Sequence, residues 1–288
     1  MFRIIHFAVG LFVCGSALAK ETPSADRIKV HGMQMYYEVS GRGEPLIVLH
    51  GAHMNIQTMG GIIPLLAKSR RVYAPEFQGH GRTSDIDRPI TYQNLADDVA
   101  AFMDAVGLRK ADVFGYSMGG TAALQLAIRH PAKVGRLVVA SVSYDEAGWQ
   151  TALKGLIPKM NREMFAPFES EWRKLAPDPD GYAAFIDKMI ALEHEPMAWE
   201  KDIAAMRTPT LIISGDADSA TLEHYVAMFR LMGGGIMGDM GQPLPASRLA
   251  IMPATSHTAV LTQPWLLHAF IEPFLRDEKP RGIFEPKE

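Results

Sequence analysis

The sequence predicts a doubly wound α/β fold with a mostly parallel sheet and an inserted helical cap, and three observations predict it. From residue 27 onward, short unbroken apolar runs alternate with helical patterns. Strands buried on both faces read as such runs, since neither face meets water. A small-residue turn, Gly115-Tyr116-Ser117-Met118-Gly119-Gly120, joins one of these runs to a helix. Residues 146–206 then carry helical patterning with no convincing strand, so they interrupt the alternation.

The elements follow in order. Arg27–His31 and Gln34–Val39 read as a hairpin about Gly32, which adds an antiparallel edge to the sheet. Pro45–His50 (PLIVLH) is a continuous apolar strand, and Arg71–Pro75 is the next. A Gly-rich turn leads to a helix over Thr91–Val106. Asp112–Gly115 is a short strand running into Ser117, followed by a small-residue-rich helix, Gly119–Arg129. Leu137–Ser141, Thr210–Ser214 and Leu249–Met252 complete the strands. The core is therefore expected over 20–145 and 207–288, with the cap at 146–206.

The cap carries Trp149, Met160, Met164, Phe165, Trp172, Phe185, Met189, Met197, Trp199 and Met206. Most are expected to pack the helices together, and a minority to face a cavity. Met and aromatic walls suit an apolar or aryl substrate group. Met232–Ser247 (MGGGIMGDMGQPLPAS) lacks periodicity and is expected to be a long loop, a surface insertion more than a pocket rim.

Composition narrows the function. At 288 residues, 48% hydrophobic and 21% charged, the chain is long enough to bury a sizeable core without a metal or disulfide staple. Net charge is −3, with no basic stripe and no interleaved aromatics, which sets nucleic acid aside. The first residues read as a leader. Arg3 precedes an apolar stretch from Ile4 to Leu18, and Ala17-Leu18-Ala19 gives a small-x-small cleavage pattern. A signal peptide at 1–19, cleaved after Ala19, implies a secreted or periplasmic protein without stable membrane insertion. An uncleaved anchor is the alternative, although the stretch is shorter than the roughly 20 residues a spanning helix needs. Bulky Val13 before Cys14 argues against lipidation, and cleavage would remove Cys14, the one cysteine.

The chemistry sits at strand ends. Residues 115–119 match G-x-S-x-G with a strand before and a helix after, where glycines let strand and helix approach closely around a strained serine. After the Pro45–His50 strand, the turn at Gly51 can aim the amide of Ala52 at a developing oxyanion. The amide of Met118, at a helix N-terminus, would be the second donor. Such donors are each worth roughly 2.7–4 kcal/mol in a transition state. Downstream, Gly215-Asp216-Ala217-Asp218 follows one strand and Ser256-His257 follows another. A hydrolytic serine needs a base, and the base needs a carboxylate to hold its tautomer. Of the ten histidines, only His257 has this placement. His50 reads as a turn-stabilising residue, and His53 as either pocket-lining or exposed.

LHG at 49–51, GHGRTS at 79–84, GYSMGG at 115–120, GDAD at 215–218 and SH at 256–257 occur together. In that combination the chain, from about Gly43 to Phe274, resembles the α/β-hydrolase superfamily, in its capped branch of carboxylesterases, haloperoxidase-like enzymes and meta-cleavage hydrolases. The resemblance implies a catalytic set of Ser117, Asp218 and His257, with Asp216 a turn residue. It departs from the pattern in three places. Glu76 stands where many members carry aspartate, and reads as structural. No proline follows Asp218 closely. Asp145 occupies an acid position that some relatives use, so it stays open as an alternative. His80, Arg82 and Ser84 are expected to fix their loop.

A serine nucleophile points to hydrolysis of a small-molecule carboxylic ester, small to medium and apolar, through an acyl-enzyme. Carbon–carbon bond hydrolysis and perhydrolase chemistry use the same three residues. A non-catalytic ligand-binding protein of the same fold is the alternative of another class. No cofactor or metal is expected. Gly233–Gly235 lacks the setting of a nucleotide loop, and the histidines lack metal-ligand spacing.

Overall fold

Eight strands build one sheet: β1 (Ser24–Val30), β2 (Met33–Ser40), β3 (Pro45–Leu49), β4 (Arg71–Pro75), β5 (Ala111–Tyr116), β6 (Val134–Ala140), β7 (Thr210–Ala217) and β8 (Arg248–Ser256). Their order is β1-β2-β4-β3-β5-β6-β7-β8. This computed structural model describes residues 23–238 and 244–279, so the expected leader at 1–19 lies outside the described residues. β2 runs antiparallel to both β1 and β4, and every other pairing is parallel. The opening hairpin turns on His31-Gly32, both at positive φ (45° and 92°), as a two-residue primed turn requires.

The helices are α1 (Ile62–Leu66), α2 (Tyr92–Ala105), α3 (Met118–Arg129), then α4 (Thr151–Leu156), α5 (Arg162–Phe165), α6 (Glu169–Arg173), α7 (Tyr182–Glu193) and α8 (Glu200–Ala205), and finally α9 (Leu222–Leu231) and α10 (Pro264–Leu275). α2 shows why these boundaries hold. Thr91 accepts the amide of Asn94 at its start. At its end Gly107 takes φ 76°, with Leu108 N bonded to Met103 O at 2.8 Å and Gly107 N to Asp104 O at 3.1 Å. That pair of bonds satisfies carbonyls that would otherwise be orphaned.

The sheet buries both faces. Ile47, Leu49 and Val113 face a cluster shared with α2 and α3, while Leu46, Val48 and Phe114 face one shared with α1 and α10. Alternate side chains on a strand point to opposite faces, so an unbroken apolar run is what two covered faces demand. From β3 the chain passes to β4 on one side, then returns to β5 on the other. The crevice at such a switch point is where open α/β sheets place ligands. Gly51 and Ser117 stand at its two lips.

Between β6 and β7 the chain forms only helices and short turns, tied to its flanks by isolated bridges at Asp145–Ala198 and Trp149–Ala220. α7 anchors this segment. Tyr182, Phe185, Ile186, Met189 and Leu192 recur at helical spacing and are all buried, most of them against the α2–α3 side of the core. α4, α5 and α6 bury no residue fully. The Met232–Ser247 loop exposes Ile236, Met237 and Leu244, and none of its described residues lines the central cavity. No helix among the described residues is long and apolar enough to cross a membrane.

Candidate active site

Ser117 sits between β5 and α3 at φ 53°, a conformation L-residues avoid. The glycines around it explain how it is held. A Cβ on Gly115 would lie 2.3 Å from Gly119 O, and one on Gly119 would lie 2.4 Å from His50 O. One on Gly120 would lie 2.4 Å from Val142 Cγ1. Strand, helix and the β3 end are therefore pressed together around the serine, and only bare backbone fits.

His257 follows β8 and reaches back to Ser117, its Nε2 lying 3.0 Å from Ser117 Oγ. Its Nδ1 lies 2.7 Å from Asp218 Oδ1. An ionised carboxylate only accepts, so Nδ1 carries the proton and Nε2 is free to accept from the serine. The backbone carbonyl of His257 accepts from Tyr116 Oη at 2.9 Å, fastening the histidine beside the serine's own strand. Asp216 does the same from below, accepting Ala254 N at 2.8 Å and Thr255 N at 2.9 Å. It is the turn residue expected, and the turn it holds carries His257.

The Asp218 side chain is fully buried and richly supplied with donors. Its Oδ2 accepts from Ser141 Oγ at 2.7 Å and Gly215 N at 3.2 Å, and its Oδ1 from Ser219 N at 2.7 Å. Burial alone would raise its pKa. The hydrogen bond and charge of His257, with Ser141 and Ser219, overcome that and bring it to about 2. Ser219 follows Asp218 directly; its Oγ donates to Asp218 Oδ1 at 3.2 Å and lies 3.0 Å from His257 Nδ1. Asp145, the alternative acid, instead accepts the amide of Ala147 at 2.7 Å and caps the turn that opens the helical segment. It has no hydrogen bond or ion pair to His257.

The amides of Ala52 and Met118 both belong to residues lining the cavity beside Ser117. Neither has a protein acceptor among the described residues. The Ala52 loop is braced from beneath by neutral histidines. His50 Nδ1 donates to Gly51 O at 2.8 Å while its Nε2 accepts Phe77 N at 3.1 Å. His80 Nδ1 donates to Gln78 O at 2.9 Å, and its Nε2 accepts His53 N at 3.3 Å. Glu76, buried, accepts the amides of Ile56 at 3.2 Å and Arg82 at 2.5 Å, tying the two loops together. Ser84 Oγ accepts Gln34 N at 2.9 Å. These are the bracing roles expected of His50, Glu76, His80, Arg82 and Ser84.

A cavity of about 630 Å³ opens over Ser117, within the range of small-molecule sites. Its far wall comes from the helical segment. Trp149, Met160, Trp172, Phe185 and Met197 line it, half of the ten candidates where a minority was expected. Met189 and Trp199 are buried in the core instead, and Met164 is exposed. His53 lines the cavity at φ 57°, its ring stacked on Phe165 at 4.7 Å and Phe168 at 5.8 Å, so it joins the sheet side to the helical side. Sequence reading missed Ser141, Ser219 and Glu193. Ser141 left a faint signal as a polar residue ending a buried strand, while Glu193 left none. Among the described residues no three His, Cys, Asp or Glu side chains converge as metal ligands.

This fold, with a serine on a strained turn and histidine and aspartate at later strand ends, defines an α/β hydrolase. A family model described as the alpha/beta hydrolase fold matches residues 44–178. The chain is 31% identical over 253 residues to the 2-hydroxymuconate semialdehyde hydrolase of Pseudomonas sp. (strain CF600), covering 76% of this chain and 88% of that protein. It is 27% identical over 246 residues to the pimeloyl-[acyl-carrier protein] methyl ester esterase of Neisseria meningitidis serogroup B, covering 77% and 87%. Among solved structures, an alpha/beta hydrolase enzyme from a Medee basin deep-sea metagenome library superposes with a TM-score of 0.72 at 19% identity, covering 90% of this chain and 100% of that one. The chain belongs to the α/β-hydrolase family.

Proposed function

We propose that the protein is a serine hydrolase that cleaves a carboxylic ester of a small to medium, largely apolar substrate through an acyl-enzyme. The observation carrying this reading is the continuous relay Ser117 Oγ–His257 Nε2 (3.0 Å) and His257 Nδ1–Asp218 Oδ1 (2.7 Å). In it, His257 takes the serine proton as Ser117 Oγ attacks the ester carbonyl. The amides of Ala52 and Met118 receive the oxyanion, and His257 then returns the proton to the departing alcohol. A water, deprotonated by the same Nε2, attacks the acyl-enzyme and releases the acid with Ser117 restored. Asp218 keeps the imidazole in the right tautomer and stabilises its charged form.

A second reading is carbon–carbon bond hydrolysis, which the likeness to a semialdehyde hydrolase favours. Against it stands the cavity wall, which holds Glu171 and Glu193 but no Lys or Arg among the described residues, a poor reception for a carboxylate-bearing substrate. The test is twofold. A fluorophosphonate should label Ser117 alone, located by peptide mass spectrometry, and Ser117→Ala should abolish both labelling and ester turnover, by at least about 10⁴-fold. Turnover of a vinylogous diketone acid faster than of any ester in a graded chain-length and aryl series would replace the ester reading with the second one.

A further inference from the structure

The cavity over Ser117 contains one charged group that the hydrolytic relay does not use. Glu193 is the last residue of α7 and lines the same chamber as Ser117 and His257. Its side chain has no hydrogen bond or ion pair among the described residues. Glu171, the other acid in the lining, differs in kind: its side chain is 74% exposed and it pairs with Lys174 at the rim. No Lys or Arg of the described residues lines the cavity, so no permanent cation in the wall pairs with Glu193. His194 beside it is exposed and bonds the backbone of its own helix, Nδ1 to Ile190 O at 2.8 Å.

The neighbours of Glu193 in the wall are aromatic. Tyr92 and Trp149 line the same chamber, with Trp172, Tyr182 and Phe185 further along. Trp149 and Glu193 also line a groove on the outer side, between the cavity and the turn at Asp145. They therefore form the partition at that end.

Given the ester-hydrolase reading above, on which this inference rests, we propose that Glu193 makes the site selective for esters bearing an ammonium group, which it receives against the aromatic wall of Tyr92 and Trp149. An ionised carboxylate partly withdrawn from water without a paired cation is costly, and a bound cation supplies that pair. Aromatic faces attract the same cation and tolerate its alkyl substituents. A carboxylate-bearing ester meets like charge, and a neutral one leaves Glu193 unpaired. Burial raises the Glu193 pKa above its ordinary value, the charges of His257 and His194 offset only part of that, and a bound cation would favour the ionised form. Glu193, Ser117 and His257 line one cavity, which puts the ammonium pocket in the chamber where the ester is cut.

The experiment compares three acetate esters of matched size: choline acetate, its carbon isostere with a tert-butyl group in place of trimethylammonium, and a carboxylate-bearing analogue. Wild-type protein should prefer the ammonium ester to its isostere by about tenfold or more in kcat/KM, mostly through KM, a difference of about 1.4 kcal/mol. The carboxylate ester should be the poorest. In Glu193→Gln the ammonium-to-isostere ratio should fall to near one, and Glu193→Asp should restore part of it. Tetramethylammonium should also slow fluorophosphonate labelling of Ser117 in the wild type and not in Glu193→Gln. A wild-type ratio of one or less overturns the proposal. So does a ratio that survives Glu193→Gln, even if all three esters slow equally, which would make Glu193 a partner of His257 instead. Loss of turnover on every ester together with no labelling of Ser117 would remove the ester-hydrolase reading itself. Labelled Ser117 with no ammonium preference removes this inference alone.

Discussion

On the sheet side of the cavity, Asp218 accepts hydrogen bonds from His257, Ser141, Ser219 and the Gly215 amide, whereas on the helical side Glu193 accepts none among the described residues. Only Glu193 lines the chamber, while Asp218 stands behind His257, and the two carboxylates differ in their hydrogen bonding. The sheet side is built at strand ends, with glycines pressing β3, β5 and α3 together around Ser117 and with Asp218 and His257 both hydrogen-bonded. The helical side is built from short helices, three of which bury no residue fully. A catalytic relay needs atoms held to a few tenths of an ångström, and strand ends locked by a parallel sheet supply that. A binding wall needs surface and shape, and a segment anchored mainly through α7 supplies them at lower local stability. On the proposed function, the contrast gives chemistry to one side and selection to the other.

Replacing Asp218 tests the contrast most severely. Asp218→Asn keeps the shape but offers a donor where His257 Nδ1 needs an acceptor, a change that costs about 10⁴-fold in turnover in serine proteases. KM should move little. Asp145→Asn and Asp216→Asn should each alter kcat by less than about tenfold. Steady-state kinetics on one good ester, with folding checked by circular dichroism, decides the matter. A steep loss in Asp145→Asn with Asp218→Asn spared would move the acid to the end of β6 and undo the comparison.

A smaller loss is expected at Ser141, which ends β6 at φ 60° and is buried. Ser141→Ala removes the 2.7 Å hydrogen bond to Asp218 Oδ2 but leaves Gly215 N in place. A bond to a charged group is worth about 1.5–3 kcal/mol, so a kcat loss on the order of ten- to a hundredfold is expected, with KM unchanged. An unchanged kcat would show that the sheet side tolerates slack there and would sharpen where its precision resides.

The mildest effect concerns stability against pH. Burial holds His50, His53 and His224 to about 4, and His80 well below its ordinary value. In the unfolded chain these groups take protons near 6.5. Between those values the unfolded state binds more protons, so stability is full above about 6.5 and is lost as pH falls toward 4. Asp218 acts in a lower window, its contribution present above about 3.8 and lost as pH falls through about 2. The melting temperature, followed by calorimetry, should drop continuously from pH 7 to pH 4, and His224→Gln should flatten that slope. A melting temperature constant over this range would show that these histidines gain charge in the folded state.

Much of this was legible from particular residues. The apolar runs at 45–49 and 211–213 announce strands covered on both sides, because no polar residue in them seeks water. Thr91 and Gly107 bound α2 through local capping, which depends on neighbours in the chain. Gly115, Gly119 and Gly120 mark a crowded turn before any coordinates are known. The strand limits slipped where tertiary pairing extends them: β8 runs on to Ser256 because Ala217 pairs with it beyond a register shift.

Sequence alone therefore determined the alternation, the order of serine, aspartate and histidine, and the residue types at each strand end, since these follow from local periodicity and turn chemistry. Only the tertiary structure decided between Asp218 and Asp145, because they differ in what lies across space: 2.7 Å to His257 Nδ1 for one, a helix-opening turn for the other. It also sorted Trp149 and Trp172 into the cavity and Trp199 into the core. Helical spacing tells which residues share a face, but not which neighbour that face will meet. Glu193 is the clearest case. Whether its side chain has a partner among the described residues depends on what the rest of the chain brings near it.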